Sequence, residues 1–397
     1  MTDVDVPITT TDYRLDRPVH ETHALLDADR EAGAVLRADF TGSPFWVITR
    51  YDEVLEALQL PEIFGNEVIN PMDPHMSIEL LPNKLNPPEH TKMRKLLNRW
   101  FTPAAVKRLE PLLRRRCAEL VAELVPNGGC ELVSDFAIRV PTEMFLATLG
   151  LPVADGRQFV SWVEKVFDGF FGIDVAGAAQ AGAAIQAYFD AAIEERVRAP
   201  RDANSDFLTR MVGAKIDGEP LSRPDLLVIC LTLMAAGLDT TRSMLGYIFH
   251  HLAQHPHQRS QIVAGPARTP AAIEELLRLY PLVIMSGRLV KQDVDFHGVA
   301  MKAGDVVWLG LGSANRDPRK YENPTEFVLD RAHVRNQLAF AAGPHICLGM
   351  HLARHQLVLA VDEWHRQIPD YRIESPQPLM ERGGGVLSLR SLPLRWS

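Results

Sequence analysis

The chain has 397 residues, of which 46% are hydrophobic, and a formal net charge of −8, with no face rich enough in Lys and Arg to neutralise many phosphates. That excludes nucleic acid as an expected partner. Four cysteines, Cys117, Cys130, Cys230 and Cys347, are too few and too scattered for a disulfide framework, and none forms a C-x-x-C zinc pair. The first residues, Met1-Thr2-Asp3-Val4-Asp5, hold no positive segment followed by an apolar one, so a cytoplasmic protein with no leader or membrane anchor is expected. Length alone suggests two or three domains, but no linker-like stretch interrupts the chain, and a single domain over 1–397 is expected.

In chain order, Phe45–Ile48 reads as an early strand. His90 and Arg94 are four apart, a spacing that aims both from one helix face. Apolar residues spaced by three and four predict helices over Pro103–Val125, Pro141–Leu149, Arg157–Val166, Ala178–Arg198 and Pro224–His255. Turn signals at Asn127-Gly128-Gly129 and Asp217-Gly218-Glu219-Pro220 punctuate them. Further strands are predicted at Asp293–Phe296, Asp305–Leu309 and Val386–Leu389, so helix dominates with a minority of sheet and no regular βαβ alternation.

Inside the fifth helix, Leu226 to Leu238 is apolar all round, short of the roughly twenty residues that span a bilayer, and reads as a buried central helix. It ends in Ala236-Gly237-Leu238-Asp239-Thr240-Thr241, costly chemistry for a core. Glycine weakens a helix by about 1 kcal/mol relative to alanine, a buried carboxylate needs a partner, and threonine hydroxyls divert backbone carbonyls from the helix ladder. Glu275 and Arg278, three apart, share a helix face. His251 with His255 and His351 with His355 are four apart, but no Glu follows the first His of either pair as in H-E-x-x-H, so helix-surface histidines are expected. Gly310-Leu311-Gly312 lacks the third glycine and the helix of a dinucleotide loop.

Phe340-Ala341-Ala342-Gly343-Pro344-His345-Ile346-Cys347-Leu348-Gly349 presents one cysteine from a tight loop just before an apolar helix pattern, Leu348 to Leu359. Gly343 and Gly349 permit left-handed turns and close approach of a flat macrocycle, and Pro344 stiffens the loop. The helix start aims N–H groups and a positive dipole end at the sulfur, which lowers the thiol pKa and favours a metal-binding thiolate. With F-x-x-G-x-x-x-C-x-G complete at Phe340, Gly343, Cys347 and Gly349, the chain resembles the cytochrome P450 family; Ala341 departs from the family's usual glycine.

The resemblance runs from the His90 segment to the C-terminal strand. It implies a mainly α fold with minor β, a large helical region around a long central helix with small antiparallel sheets. It implies haem b (iron protoporphyrin IX) bound without thioether links, with Cys347 as axial ligand and Phe340, Gly343, His345 and Gly349 around it. A thiolate below haem iron favours O–O cleavage. His90, Arg94, Arg288 and His345 match the family's propionate donors. Ala236 to Thr241 matches the oxygen-activating pattern, with Thr240 bonding the oxygen and its water and Asp239 passing protons inward. Glu275, Arg278 and Arg331 match a buried structural ion pair with its third member.

The implied reaction is monooxygenation of a small hydrophobic molecule, with O2 and with electrons from a separate ferredoxin and ferredoxin reductase. The run Leu81 to His90 is similar to bacterial terpenoid-oxidising members. Substrate-facing positions carried over are Ile78, Leu80 and Leu81, Phe170 and Phe171 in the lid segment, Ala235, Ala236, Val283, Ile284 and Val386, an apolar set suited to a terpenoid-like ligand. Lys95, Arg99, Lys107, Arg108 and Arg114-Arg115-Arg116 form a basic neighbourhood for an acidic ferredoxin. Two other readings are a peroxygenase that uses H2O2 directly and a haem-binding protein without catalysis; the Asp239-Thr240 pair argues against both.

Overall fold

The structure is a computed structural model and describes residues 6–39, 42–68, 80–170 and 174–397. Its helices are α1 (Glu21–Ala32), α2 (Tyr51–Gln59), α3 (Glu89–Asn98), α4 (Pro103–Leu124), α5 (Arg139–Leu149), α6 (Gly156–Phe170), α7 (Val175–Arg198), α8 (Phe207–Val212), α9 (Arg223–Gln254), α10 (Pro256–Ala264), α11 (Thr269–Leu279), α12 (Leu311–Ala314) and α13 (Met350–Gln367). Several start where local chemistry dictates. Thr102 accepts a hydrogen bond from Ala105 N ahead of Pro103, and Ser222 accepts one from Asp225 N ahead of Pro224. In each case a side chain satisfies an orphan N–H and a proline occupies a position that needs no donor.

The predicted central helix is α9, 32 residues long and so about 48 Å from end to end. It packs against α5, α7, α10, α11, α13 and the strand Ser388–Leu389. By length and composition it could cross a membrane; here it runs through the middle of the helical region. One expectation fails: α9 is not buried on all sides, because Ala235, Ala236 and Gly237 are exposed, and the last two face an internal cavity. His251, expected on a helix surface, is 2% exposed because the end of α9 lies under α10 and α11.

The largest sheet has six strands in the order Ile8–Thr9, Val35–Ala38, Phe45–Ile48, Val306–Leu309, Ser286–Val290 and Phe64–Gly65. Two of its ladders depart from the expected antiparallel pairing. Ile8 lies parallel opposite Arg37, and Val307 lies parallel opposite Trp46. The antiparallel ladder that sets Arg288 opposite Val307 carries Arg288 to the cavity wall. Smaller sheets are two- and three-stranded, and the predicted Val386 pairs with Val283 as an isolated bridge.

Glu275 and Arg278 on α11 are both fully buried. Arg278 donates Nε to Glu275 Oε2 and Nη2 to Oε1, each at 2.8 Å. Arg331 donates Nε to the same Oε1 at 2.8 Å, and Val328 N joins at 3.0 Å. The remaining Arg278 donors reach the carbonyls of Asn315, Pro324 and Glu326. A buried charge pair is tolerable only when its hydrogen-bonding capacity is filled in this way. Glu275→Ala strands two guanidiniums and is expected to cost about 3–5 kcal/mol. Chemical denaturation will read it; a variant of wild-type stability would show that the Arg278 and Arg331 carbonyl contacts suffice without the carboxylate.

Candidate active site

The cysteine loop is fixed by backbone geometry. Cys347 N donates to Phe340 O at 2.9 Å and Ile346 N to Gly343 O at 3.2 Å, closing the loop on itself. Gly343 has φ +68°, and a Cβ there would lie 2.3 Å from the Leu58 carbonyl oxygen, so only glycine fits. Ala341 has φ +56°, the left-handed region, which explains why glycine is usual there. Phe340 is held under the Arg354 guanidinium, 4.5 Å from the ring centroid, and Arg354 is itself paired with the buried Glu274.

Cys347 opens onto an internal cavity of about 380 Å³ deep in the protein. Burial pushes the thiol up, and the N–H groups of Gly349 and Met350 with the guanidiniums of Arg94 and Arg354 pull it down by less. The expected lowering by the helix start is therefore present but outweighed by desolvation.

Arg94, Arg288 and His345 line the same cavity. Arg94 is half-buried and Arg288 buried, and among the described residues neither has a carboxylate partner; Arg288 donates only to Ser286 Oγ and Gly287 O. Burial lowers the pKa of both guanidiniums, Arg288's to about 10. His90 and His345 stack at 3.8 Å, are pushed down by burial to about 4 and about 3, and leave His90 Nδ1 and His345 Nε2 without protein partners. Gly237 on α9 and Gly349 beside Cys347 both line the cavity, and a Cβ at either would meet nothing within 4 Å, although neither glycine is left-handed. A thiol, two unmatched cations, two imidazoles with free valences and two bare glycine faces suit a flat, dianionic macrocycle with a metal centre: the residues present fit haem.

Across the cavity, the lining residues of α9 are Thr232, Leu233, Ala236, Gly237, Thr240, Thr241 and Met244, one face at helical spacing. Thr240 Oγ1 donates to Ala236 O at 2.7 Å. Asp239 is not among the lining residues, and its carboxylate pairs with Arg242 on the same helix.

Of the carried-over substrate positions, Ala236 and Val283 line the cavity. Ala235 does not, being a third of a turn off the lining face; Leu80 and Leu81 precede Pro82 and Asn83, which do. Ile284 is fully buried in the core beside Gly312, and Val386 lies outside the lining. Ile78 and Phe171 lie outside the described residues, as does the Phe170 side chain. Phe101, Phe145, Leu149, Thr232 and Leu233 were missed. Counting back along α9 by helical turns from Thr240 finds the last two; the others lie on α5 and just past the end of α3, with no local signal.

The basic run expected to meet a ferredoxin is largely neutralised. Arg114 pairs with Glu363 and Glu110, Arg115 with Glu119, and Arg116 with Glu143 and Glu119. Lys95, Arg99, Lys107 and Arg108 are exposed, with no acidic partner among the described residues. They lie on or beside α3, which carries Arg94, and on α4, which packs against α13 behind the cysteine loop.

A family model described as Cytochrome P450 matches residues 155–264 and 268–364. The chain is 32% identical over 370 residues to a methyl-branched lipid omega-hydroxylase of Mycobacterium bovis, covering 90% of this chain and 85% of that one. It is also 32% identical over 361 residues to a probable cytochrome P450 127A1 of Sinorhizobium fredii, covering 90% and 84%. Among solved structures, CYP101J2 superposes with a TM-score of 0.88 at 29% identity, and cytochrome P450 CYP101C1 with 0.89 at 26%, each over 100% of both chains.

Ala341→Gly is expected to stabilise the protein by about 0.5–1 kcal/mol, the left-handed strain removed less the added freedom of the unfolded chain. Urea denaturation measures it; a loss of stability would mean that the Ala341 methyl packs well enough to offset its backbone.

Proposed function

Because the chain belongs to the cytochrome P450 family and is therefore a haem-thiolate monooxygenase with haem b as cofactor, we propose that it hydroxylates a methyl-branched, terpenoid-like molecule using electrons from a ferredoxin. The observation that carries this reading is one apolar-walled cavity shared by Cys347, Thr240 and two guanidiniums without counter-charges. Haem b supplies O2 reduction and oxygen insertion when bound.

The chain's residues then divide the remaining work. Cys347 would hold the haem iron as thiolate, its anion favoured by Arg94, Arg354 and the Gly349 and Met350 N–H groups. Arg94 and Arg288 would hold the two haem carboxylates, with His90 and His345 as further hydrogen-bond partners. Phe340, Gly343 and Gly349 shape the loop against the macrocycle. Thr240 Oγ1 holds a proton at the cavity face, and Asp239 replenishes it by leaving its pair with Arg242. The whole chain works as one domain in the cytoplasm.

Phe101, Phe145, Leu149, Leu233, Met244 and Val283 make the wall mainly hydrocarbon, which favours an uncharged substrate and excludes bulk water from the reacting centre. The Mycobacterium relative is by name a hydroxylase of methyl-branched lipids, and repeated methyl branching is also the pattern of terpenoids. Lys95, Arg99, Lys107 and Arg108 offer the positive surface for an acidic ferredoxin.

The deciding experiment is the absorption spectrum of the reduced protein with CO, followed by titration of the oxidised protein with terpenoids. A strongly red-shifted Soret band and a low-to-high-spin shift are expected; a band typical of histidine-ligated haem would overturn Cys347 as ligand, and no shift with any terpenoid would overturn the substrate class. Turnover with an acidic ferredoxin and its reductase is expected to fall steeply as salt rises, and a flat response would remove charge steering from the docking. Thr240→Ala is expected to retain haem while diverting most electrons to peroxide; tight coupling in that variant would take Thr240 out of proton delivery.

A further inference from the structure

Where α9 leaves the cavity it carries a buried hydrogen-bonded pair that the monooxygenase reading does not use. Tyr280, just past the end of α11, lines the same cavity as Cys347 and Thr240. Its phenol and His251 Nδ1 are 2.8 Å apart, and His251 Nε2 lies 2.7 Å from Gln258 Oε1. An amide oxygen only accepts, so Nε2 carries the imidazole proton and Nδ1 accepts from the phenol. His255, exposed, stacks on His251 at 4.2 Å, and His20 stacks on Tyr280 at 4.6 Å.

Burial keeps both partners neutral, with the Tyr280 phenol pushed up to about 12 and His251 down to about 4. A phenol that loses an electron becomes a strong acid, and a buried cation radical is costly in a low-dielectric interior. Electron loss from Tyr280 thus requires a base already in contact, and His251 Nδ1 is that base. The imidazolium formed is fully satisfied, Nδ1–H donating back to the tyrosine oxygen and Nε2–H to Gln258. Met244 and Met285, whose thioethers are oxidisable, line the same cavity and stand to be spared.

We propose that Tyr280 is a redox-active residue that quenches the cofactor when it has been oxidised with no substrate in the cavity, passing its proton to His251. In this step the Tyr280 O–H bond breaks, one electron reduces the oxidised cofactor by one equivalent, and the proton forms an N–H bond at His251 Nδ1. A neutral tyrosyl radical and an imidazolium remain. The proposal rests on the haem-thiolate reading above.

The test treats the substrate-free holoenzyme with an organic peracid, which oxidises haem without a redox partner, and reads freeze-quenched samples by electron paramagnetic resonance. A tyrosyl radical is expected in the wild type, with its yield at least tenfold lower in Tyr280→Phe and in His251→Phe while the reduced CO band of each is unchanged. No tyrosyl signal in the wild type, undiminished yield in either variant, or a signal lost in Tyr247→Phe but kept in Tyr280→Phe would overturn the proposal; Tyr247 is the neighbouring phenol, 5.8 Å from Tyr280. Failure of the haem-thiolate reading is recognised separately, by the absence of the red-shifted CO band in the wild type.

Discussion

A carboxylate with no access to water must be met by cations and donors from several parts of the chain, and Glu275 imposes that requirement at the junction on which the cysteine loop rests. It gathers Arg278 from its own helix, Arg331 and the Val328 amide. Arg278 extends the network to the Asn315 carbonyl, the Asn315 side chain accepts from Leu338 N, and Ala341 N donates to Leu338 O. One residue earlier, Glu274 fixes Arg354 over Phe340. The adjacent acids of α11 thus hold the loop from two directions.

The cavity above that loop shows the opposite balance. Arg94 and Arg288 are drawn out of water without the carboxylates that such burial demands, and two stacked imidazoles stay neutral beside them. Polar groups buried in this state raise the free energy of the protein until a ligand supplies the missing acceptors. On the proposed reading, assembly of the protein and capture of its cofactor are then one thermodynamic problem, in which the ligand's anions would complete an interior that the chain leaves short of negative charge.

Local chemistry made much of this legible. The ends of α4 and α9 follow from Thr102-Pro103 and Ser222 ahead of Pro224, and the strand Phe45–Ile48 from its own residue types. The spacing of Glu275 and Arg278 and the residues of the cysteine loop were equally local. What stayed hidden depends on partners remote in sequence. Arg114 and Arg116 read as open positive charge until Glu363 and Glu143 are folded against them. The thiol of Cys347 gains from nearby N–H groups, as expected, but the desolvation that outweighs them comes only with burial in the folded chain. Val283 and Ile284 are adjacent and chemically alike, and only the direction of the backbone decides that one meets the cavity and the other the core.

A hydroxyl carries a single proton, and at Thr240 it is already committed to the Ala236 carbonyl. A molecule entering the cavity therefore meets the oxygen's lone pairs before its hydrogen. If that bond is worth about 1 kcal/mol, the rotamer free to donate is occupied roughly one-sixth of the time, since thermal energy is near 0.6 kcal/mol. The residue behaves as an acceptor at rest and a donor by fluctuation, so its state free to donate into the cavity is a minority population that a tightly bound guest can enlarge or suppress.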